Sequence, residues 1–333
     1  MKFLIIQTAF IGDVILATAV AEKLHLKYPD ARIDFLLRKG NEGLLKDHPF
    51  INTVLIWDKK QGKIRNLLSI VKQVRANQYD HVINLHRFAS SGIITGFSGA
   101  KEKIGFDKNP LSFLFTKKIR HEIGRLPDQK AGAKHEVERN QQLIEHVTEG
   151  NASKPKLYPS ETNFNAVKHY KHLPYICIAP TSVWFTKQFP KEKWVALCDK
   201  LPLKYNVYLL GAPSDNEACE WIKNNSTNKN IINLSGKLNF LDSAALMKDA
   251  IMNYVNDSAP MHIASAMNAA TTAIYCSTVP SFGFGPLAEN AKIVETTLGL
   301  ECRPCGLHGH QACPLGHFKC AFSIEIDELL KAV

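Results

Sequence analysis

Residues 2–21, KFLIIQTAFIGDVILATAVA, limit the fold more than any other stretch, reading as a short buried strand, a tight turn at Ile11-Gly12-Asp13 and an apolar helix. A strand that enters a helix through a glycine turn begins an open α/β sheet, whose ligands gather at the carboxyl ends of the strands. Asp13 falls at that edge. A carboxylate there serves either as a helix cap or as a general base held by a rigid scaffold. The stretch also has the outline of a secretory signal, with Lys2, an apolar run and the triplet Ala17-Thr18-Ala19. Gln7, Gly12 and Asp13 interrupt that run, and the helical period continues through Leu24 and Leu26 to Tyr28-Pro29, so the signal reading is rejected. No other window reaches the roughly 18 unbroken apolar residues of a membrane span. The expectation is a soluble, cytoplasmic protein.

Strand and helix patterns then alternate. Residues 32–37 and 52–57 read as strands, and Ile64, Leu67, Leu68, Val71 and Val74 have the spacing of one buried helix face. A fourth strand, 80–85, leads into a polar loop, 86–92, that begins His86-Arg87 and opens on the same edge as Asp13. A helix from about Ala133 to Val147 ends at Gly150, and the pattern lapses over 151–160. It restarts with strands at 175–179 and 206–210, helices near 191–201 and 215–224, and further units through Tyr275. Such alternation predicts parallel, doubly wound sheets. The expected class is α/β: two Rossmann-like domains, 1–150 and 166–333, joined by a linker at 151–165 and facing across a cleft.

Charge is unevenly divided. Of the formal net charge of +10, residues 1–165 hold 26 Lys+Arg against 17 Asp+Glu, and residues 166–333 hold 15 against 14. A basic first half suits an anionic partner, such as a phosphorylated glycolipid or an anionic membrane surface, or is a solvated lysine-rich face.

Three polar loops of the second half each follow an expected strand. Pro180 to Pro190 carries Thr181, Ser182 and Lys187, and hydroxyls with one ammonium can hold a diphosphate without a Walker-type loop. Gly211 to Glu217 places Asp215 and Glu217 at a helix start, where they meet ribose hydroxyls or complement the helix dipole. Asn256-Asp257-Ser258-Ala259-Pro260-Met261-His262 has Ser258 as expected cap, Pro260 in the first turn and N–H groups directed at an anion. Together they describe a nucleotide-diphosphate pocket.

The motifs IGDVILATA, TKQFP, LLGAPSD and NDSAPMHIASA, in this order and spacing, resemble glycosyltransferase family 9, the ADP-heptose lipopolysaccharide heptosyltransferases. The resemblance covers essentially the whole chain. It implies a GT-B architecture, an acceptor site in the first domain, a donor site in the second, and inverting transfer with no required cofactor. ADP-heptose is the implied donor, and the lipopolysaccharide core or a lipid A-linked glycan the implied acceptor. By the same resemblance Asp13 is the base, with Gly12, His86 and Arg87 on the acceptor side. Thr181, Ser182 and Lys187 touch the diphosphate; Asp257, Ser258 and His262 line the donor; Glu217 matches a nucleoside contact. Two positions depart from the family: Ala259 stands where glycine is usual and Phe189 where tryptophan is common.

Eight cysteines in a cytosolic chain imply reduced thiols. Cys302, Cys305, Cys313 and Cys320 form Cys-x2-Cys-x7-Cys-x6-Cys in a segment, 302–320, interleaved with His308, His310 and His317. That spacing fits a structural zinc, or a loop whose thiols and histidines serve packing or acceptor contact. A dehydrogenase is excluded because the first turn lacks G-x-G-x-x-G and the second strand ends at Arg38-Lys39 rather than at an acid. A non-catalytic glycan- or nucleic-acid-binding protein using the basic half is the competing class; for the enzyme, no nucleic-acid partner is expected.

Overall fold

A computed structural model describes residues 1–60, 62–123 and 134–331. The chain divides into two compact units, Met1–Tyr158 and Pro159–Val333.

The first unit contains β1 (Lys2–Ile6), α1 (Ile11–Lys27), β2 (Arg32–Arg38), β3 (Ile51–Trp57), α2 (Lys63–Ala76), β4 (His81–Asn84), α3 (Ala89–Gly96), β5 (Glu102–Phe106), β6 (Lys117–Ile119) and α4 (Glu136–Gln142). Its strands lie in the order β3-β2-β1-β4-β5-β6, every pair parallel. A parallel sheet is covered on both faces, so its central strands are continuous apolar runs rather than alternating ones. Phe3–Ile6 of β1 are accordingly fully buried, and the residues from Val14 to Ala21 of α1 are buried too.

Several boundaries differ from expectation. Ile11, Gly12 and Asp13 are the first turn of α1, not a turn before it; Phe10 is the N-cap and the chain turns over residues 7–10. The buried stripe of α2 runs through Leu67, Ile70, Val71 and Val74, whereas Ile64 and Leu68 face solvent. Helix α3 starts at Ala89, which shortens the loop expected over 86–92. The helix expected from Ala133 is α4 from Glu136, and Ala133 lies outside the described residues. Strands β5 and β6 were not anticipated, being short, with charged residues that blur their apolar pattern.

The second unit contains α5 (Glu161–Val167), β7 (Tyr175–Ala179), α6 (Lys191–Lys200), β8 (Asn206–Leu209), α7 (Asn216–Asn225), β9 (Ile231–Asn233), α8 (Phe240–Lys248), β10 (Met252–Asn256), α9 (Ala259–Ala266), β11 (Thr271–Tyr275) and β12 (Ala291–Glu295), then two short helices at Lys319–Phe322 and Ile326–Leu330. Residues 161–165, expected as linker, are helical: Ser160 caps α5 and its N–H donates to Asn163 Oδ1 at 2.8 Å. Residues 151–158 pack with the first unit, where Lys156 N–H donates to Thr18 Oγ1 at 3.0 Å and Tyr158 Oη to Glu22 at 2.8 Å.

Read from β9, the second sheet is β9-β8-β7-β10-β11-β12, the connectivity of the first repeated. In both, the order reverses beside the unit's first strand, between β1 and β4 and between β7 and β10. Loops diverge at such a switch point, leaving a crevice outside the carboxyl ends of the two strands where ligands of open α/β sheets bind.

Candidate functional site

At the first unit's switch point the loop after β1 meets the loop after β4. Asp13 is the third residue of α1, and its carboxylate accepts the Phe10 N–H at 3.1 Å, satisfying one of the donors left open at a helix start. Surrounding protein that displaces water raises its pKa to about 6; the Glu136 carboxylate adds to the rise, while the Phe10 N–H and Arg87 oppose it. A carboxylate so tuned is ionised at neutral pH yet more basic than an ordinary aspartate.

Across the crevice His86 places Nδ1 3.0 Å from Thr8 Oγ1. Burial first, then Lys59, Arg87 and Arg38, lower its pKa to about 3, so the ring is neutral and a weak base. Lys59 donates to the Thr8 carbonyl at 2.7 Å and to Thr8 Oγ1 at 3.2 Å; burial, with Arg38 and Lys63 nearby, lowers its pKa to about 8. Arg38 lies 4.8 Å over the Phe10 ring. The His86 loop is pinned, because Ser91 Oγ and Asn109 Nδ2 both donate to the carbonyls of His86 and Phe88. The site is thus one poised carboxylate within a cationic rim. Sequence inspection found Asp13, His86 and Arg87 but missed Lys59, Arg38 and Thr8, whose strands had first to be ordered in the sheet.

At the second switch point, Thr181 and Ser182 leave β7 and Asp257 and Ser258 leave β10. Asn256, fully buried, joins the two loops: its Oδ1 accepts the Phe189 N–H at 2.8 Å and its Nδ2 donates to the Pro180 carbonyl at 2.8 Å. Lys187 Nζ is 2.7 Å from Asp257 Oδ2, which also accepts from Thr278 Oγ1 at 2.6 Å. Ser258 occupies the N-cap position of α9 with extended backbone, but its hydroxyl makes no cap bond to the helix. His262 is buried within α9. Glu217 stands apart, exposed on the first turn of α7 beyond β8. Thr278 and Ser277 escaped the sequence reading, which named Asn256 as the start of its loop without a role; a polar residue ending a buried strand was the available signal for that role.

The cysteine-rich segment does not assemble a metal shell. Among the described residues no three or more His, Cys, Asp or Glu side chains are placed to hold an ion. Cys320 packs in the apolar core of the unit, and Cys302 Sγ lies 3.9 Å from His317 Nε2, so of the two readings of the spacing, a structural zinc or a packing loop, the side-chain placement favours packing.

Two Rossmann-like units of identical strand order, each with a polar switch point, define an α/β protein of the GT-B glycosyltransferase class. The family model described as glycosyltransferase family 9 (heptosyltransferase) matches residues 67–312, and the chain belongs to that family. Lipopolysaccharide heptosyltransferase 3 of Escherichia coli K12 is 31% identical over 294 residues, covering 84% of this chain and 83% of the relative. A family 9 glycosyltransferase structure from Veillonella parvula superposes with a TM-score of 0.85 at 22% identity, covering 99% of this chain and 95% of the other. The structure of E. coli ADP-heptose lps heptosyltransferase II gives a TM-score of 0.81 at 21% identity, covering 100% and 97%. The chain is therefore a glycosyltransferase of the heptosyltransferase family of lipopolysaccharide core biosynthesis, which sets aside the non-catalytic reading.

Proposed function

We propose that the enzyme transfers heptose from ADP-heptose to a lipopolysaccharide core acceptor with inversion at the anomeric carbon. The observation that carries this reading is Asp13, a carboxylate with a pKa of about 6 at the first switch point. An acceptor hydroxyl must lose its proton as it attacks, and a base most effective near neutral pH contributes roughly 10²- to 10⁴-fold. In this reading the hydroxyl oxygen bonds to the anomeric carbon, Asp13 takes its proton, and the bond to the diphosphate breaks on the opposite face. ADP leaves carrying the electron pair, its charge met by Lys187 with Thr181 and Ser182. His86, whose burial and cationic neighbours lower its pKa to about 3, is the poorer base. Asp257 serves by holding Lys187; Ser258, His262 and Glu217 complete the donor side, and Gly12, His86 and Arg87 the acceptor side. The donor assignment draws on the relative described as an ADP-heptose heptosyltransferase. The roles assigned to the units, acceptor on the first and donor on the second, belong to the same proposal.

Calorimetric titration with ADP-heptose against other sugar nucleotides, followed by NMR assignment of the product anomer, tests it. Preference for ADP-heptose and an inverted linkage are expected; a retained configuration would sink the single-displacement mechanism. No helix among the described residues is long and apolar enough to cross a membrane. The cationic rim and basic first half support work at the cytoplasmic membrane face on a phosphorylated glycolipid, with vesicle binding that weakens as salt screens it over about 10 Å at 0.1 M.

A further inference from the structure

The cysteine-rich segment has no part in the mechanism above, yet its path is tightly specified. At its start Arg303 donates to the carbonyls of Cys276 and Thr278 at 2.8 Å each and of Tyr275 at 3.2 Å, and pairs with Glu295. Cys305 N–H donates to the Ser277 carbonyl at 2.8 Å. At its end Phe318 and Cys320 are buried in the unit's apolar core. Between these anchors the segment crosses the loop that carries Lys187. His310 N–H donates to Thr186 Oγ1 at 2.8 Å, and Thr186 N–H donates back to the His310 carbonyl at 3.1 Å. Ser277 Oγ donates to the same Thr186 oxygen at 3.0 Å. Thr186 is 1% exposed, so this hydroxyl is spent wholly inside the protein. Gly309, at φ +74°, lies so close that a Cβ would stand 2.8 Å from Thr186 Oγ1, 3.1 Å from Lys187 Cγ and 3.2 Å from Ser277 Oγ.

We propose that the segment is a strap that positions Lys187, with Thr186 as the positioning residue through which it acts and Gly309 as the point of closest approach. This rests on the reading of Lys187 as the donor-phosphate residue. The physical reason is the loop's own short structure: residues 185–187 form a single 3₁₀ turn, which cannot fix a long lysine side chain unaided. Asp257 restrains the ammonium end, and the strap restrains the backbone and the Cγ end. With both ends held, less freedom is lost when a diphosphate binds. The strap's thiols then serve packing: Cys305 Sγ donates to the Cys302 carbonyl at 3.4 Å, and Cys313 Sγ accepts the Phe318 N–H at 3.4 Å.

The test is a double-mutant cycle with ADP as the titrated probe, run on the full chain. Thr186→Val keeps the shape but leaves the His310 N–H and the Ser277 hydroxyl without their acceptor; ADP dissociation should rise about tenfold, while Thr186→Ser restores it. In a Lys187→Ala background Thr186→Val should add nothing. Gly309→Ala provides the second variant: it keeps the Thr186 hydroxyl but crowds it and Lys187 Cγ, and should likewise weaken ADP. Melting temperatures identify any variant that fails to fold, and the cycle is read on those that do. Equal weakening by Thr186→Val in both backgrounds, or wild-type ADP binding in both Thr186→Val and Gly309→Ala, overturns the strap while leaving Lys187 in place. Wild-type ADP binding by Lys187→Ala overturns the parent reading, and this one with it.

Discussion

Lys187 and Asp257, from loops that leave neighbouring strands β7 and β10, form an ion pair with Nζ 2.7 Å from Oδ2, and Thr278 donates to the same oxygen. On the proposed reading, a diphosphate would meet an ammonium already oriented and an aspartate already occupied. Lys187→Ala should raise the ADP-heptose dissociation constant by one to two orders of magnitude, the worth of about 1.5–3 kcal/mol for a charge-assisted contact. The acceptor constant should hold. Calorimetry on both ligands decides, and an unchanged donor constant would remove Lys187 from the donor site.

For Asp13 the pH dependence has a definite sign. Its folded pKa of about 6 exceeds the ordinary 3.8, so the folded state binds the proton more tightly and loses stability as pH rises through that window. Activity does the reverse, since kcat/KM should climb with pH around 6 as the base ionises. Asp13→Asn keeps an oxygen for the Phe10 N–H and removes a partly desolvated charge. It should lower kcat by about 10²- to 10⁴-fold while melting at pH 8 no lower than the wild type. A variant that melts lower yet turns over normally would make Asp13 a helix cap only.

Lys59 should report the acceptor. With its pKa lowered to about 8, it is partly neutral at pH 8 and should take up a proton when an anionic acceptor binds beside it. Calorimetry in buffers of different ionisation enthalpy measures that uptake. Lys59→Gln should abolish it and raise the acceptor KM roughly tenfold, with donor binding unaltered. Equal proton uptake by the variant would assign the effect elsewhere.

Acid should loosen the first unit early. Burial lowers the pKa of His48 to about 4 and those of His86 and His121 to about 3, against 6.5 when unfolded. Groups held neutral in this way contribute stability that is complete above 6.5 and is lost as pH falls toward 4. Hydrogen exchange should show protection falling around these three residues between pH 6.5 and 4; constant protection across that range would contradict it.

Gly92 should resist substitution. A Cβ there would lie 2.3 Å from Asn109 Oδ1 and 2.9 Å from Leu111 Cβ, and Asn109 is what pins the His86 loop. Gly92→Ala is expected to cost about 1–3 kcal/mol in denaturant unfolding and to lower activity. A neutral effect on both would show that Asn109 can move freely.

Local chemistry was enough to read β2, β3, β7 and β8 nearly to the residue, because apolar runs between polar loops admit few other folds. The family motifs likewise brought Asp13, Lys187 and Asp257 to notice. Yet the sequence placed Gly12 in a turn that is helix, and left Cys302 to Cys320 open between a structural zinc and a packing loop, since spacing records proximity along the chain and not direction in space. Which strands lie side by side was decided only by tertiary packing. Once β4 settles against β1 and β10 against β7, loops distant in sequence share one crevice, and Lys59 joins Thr8 and His86 while Lys187 finds Asp257. The strap was decided there too: Gly309 has no neighbour in sequence that calls for a glycine, and only the folded unit brings Thr186, Lys187 and Ser277 close enough to exclude a Cβ.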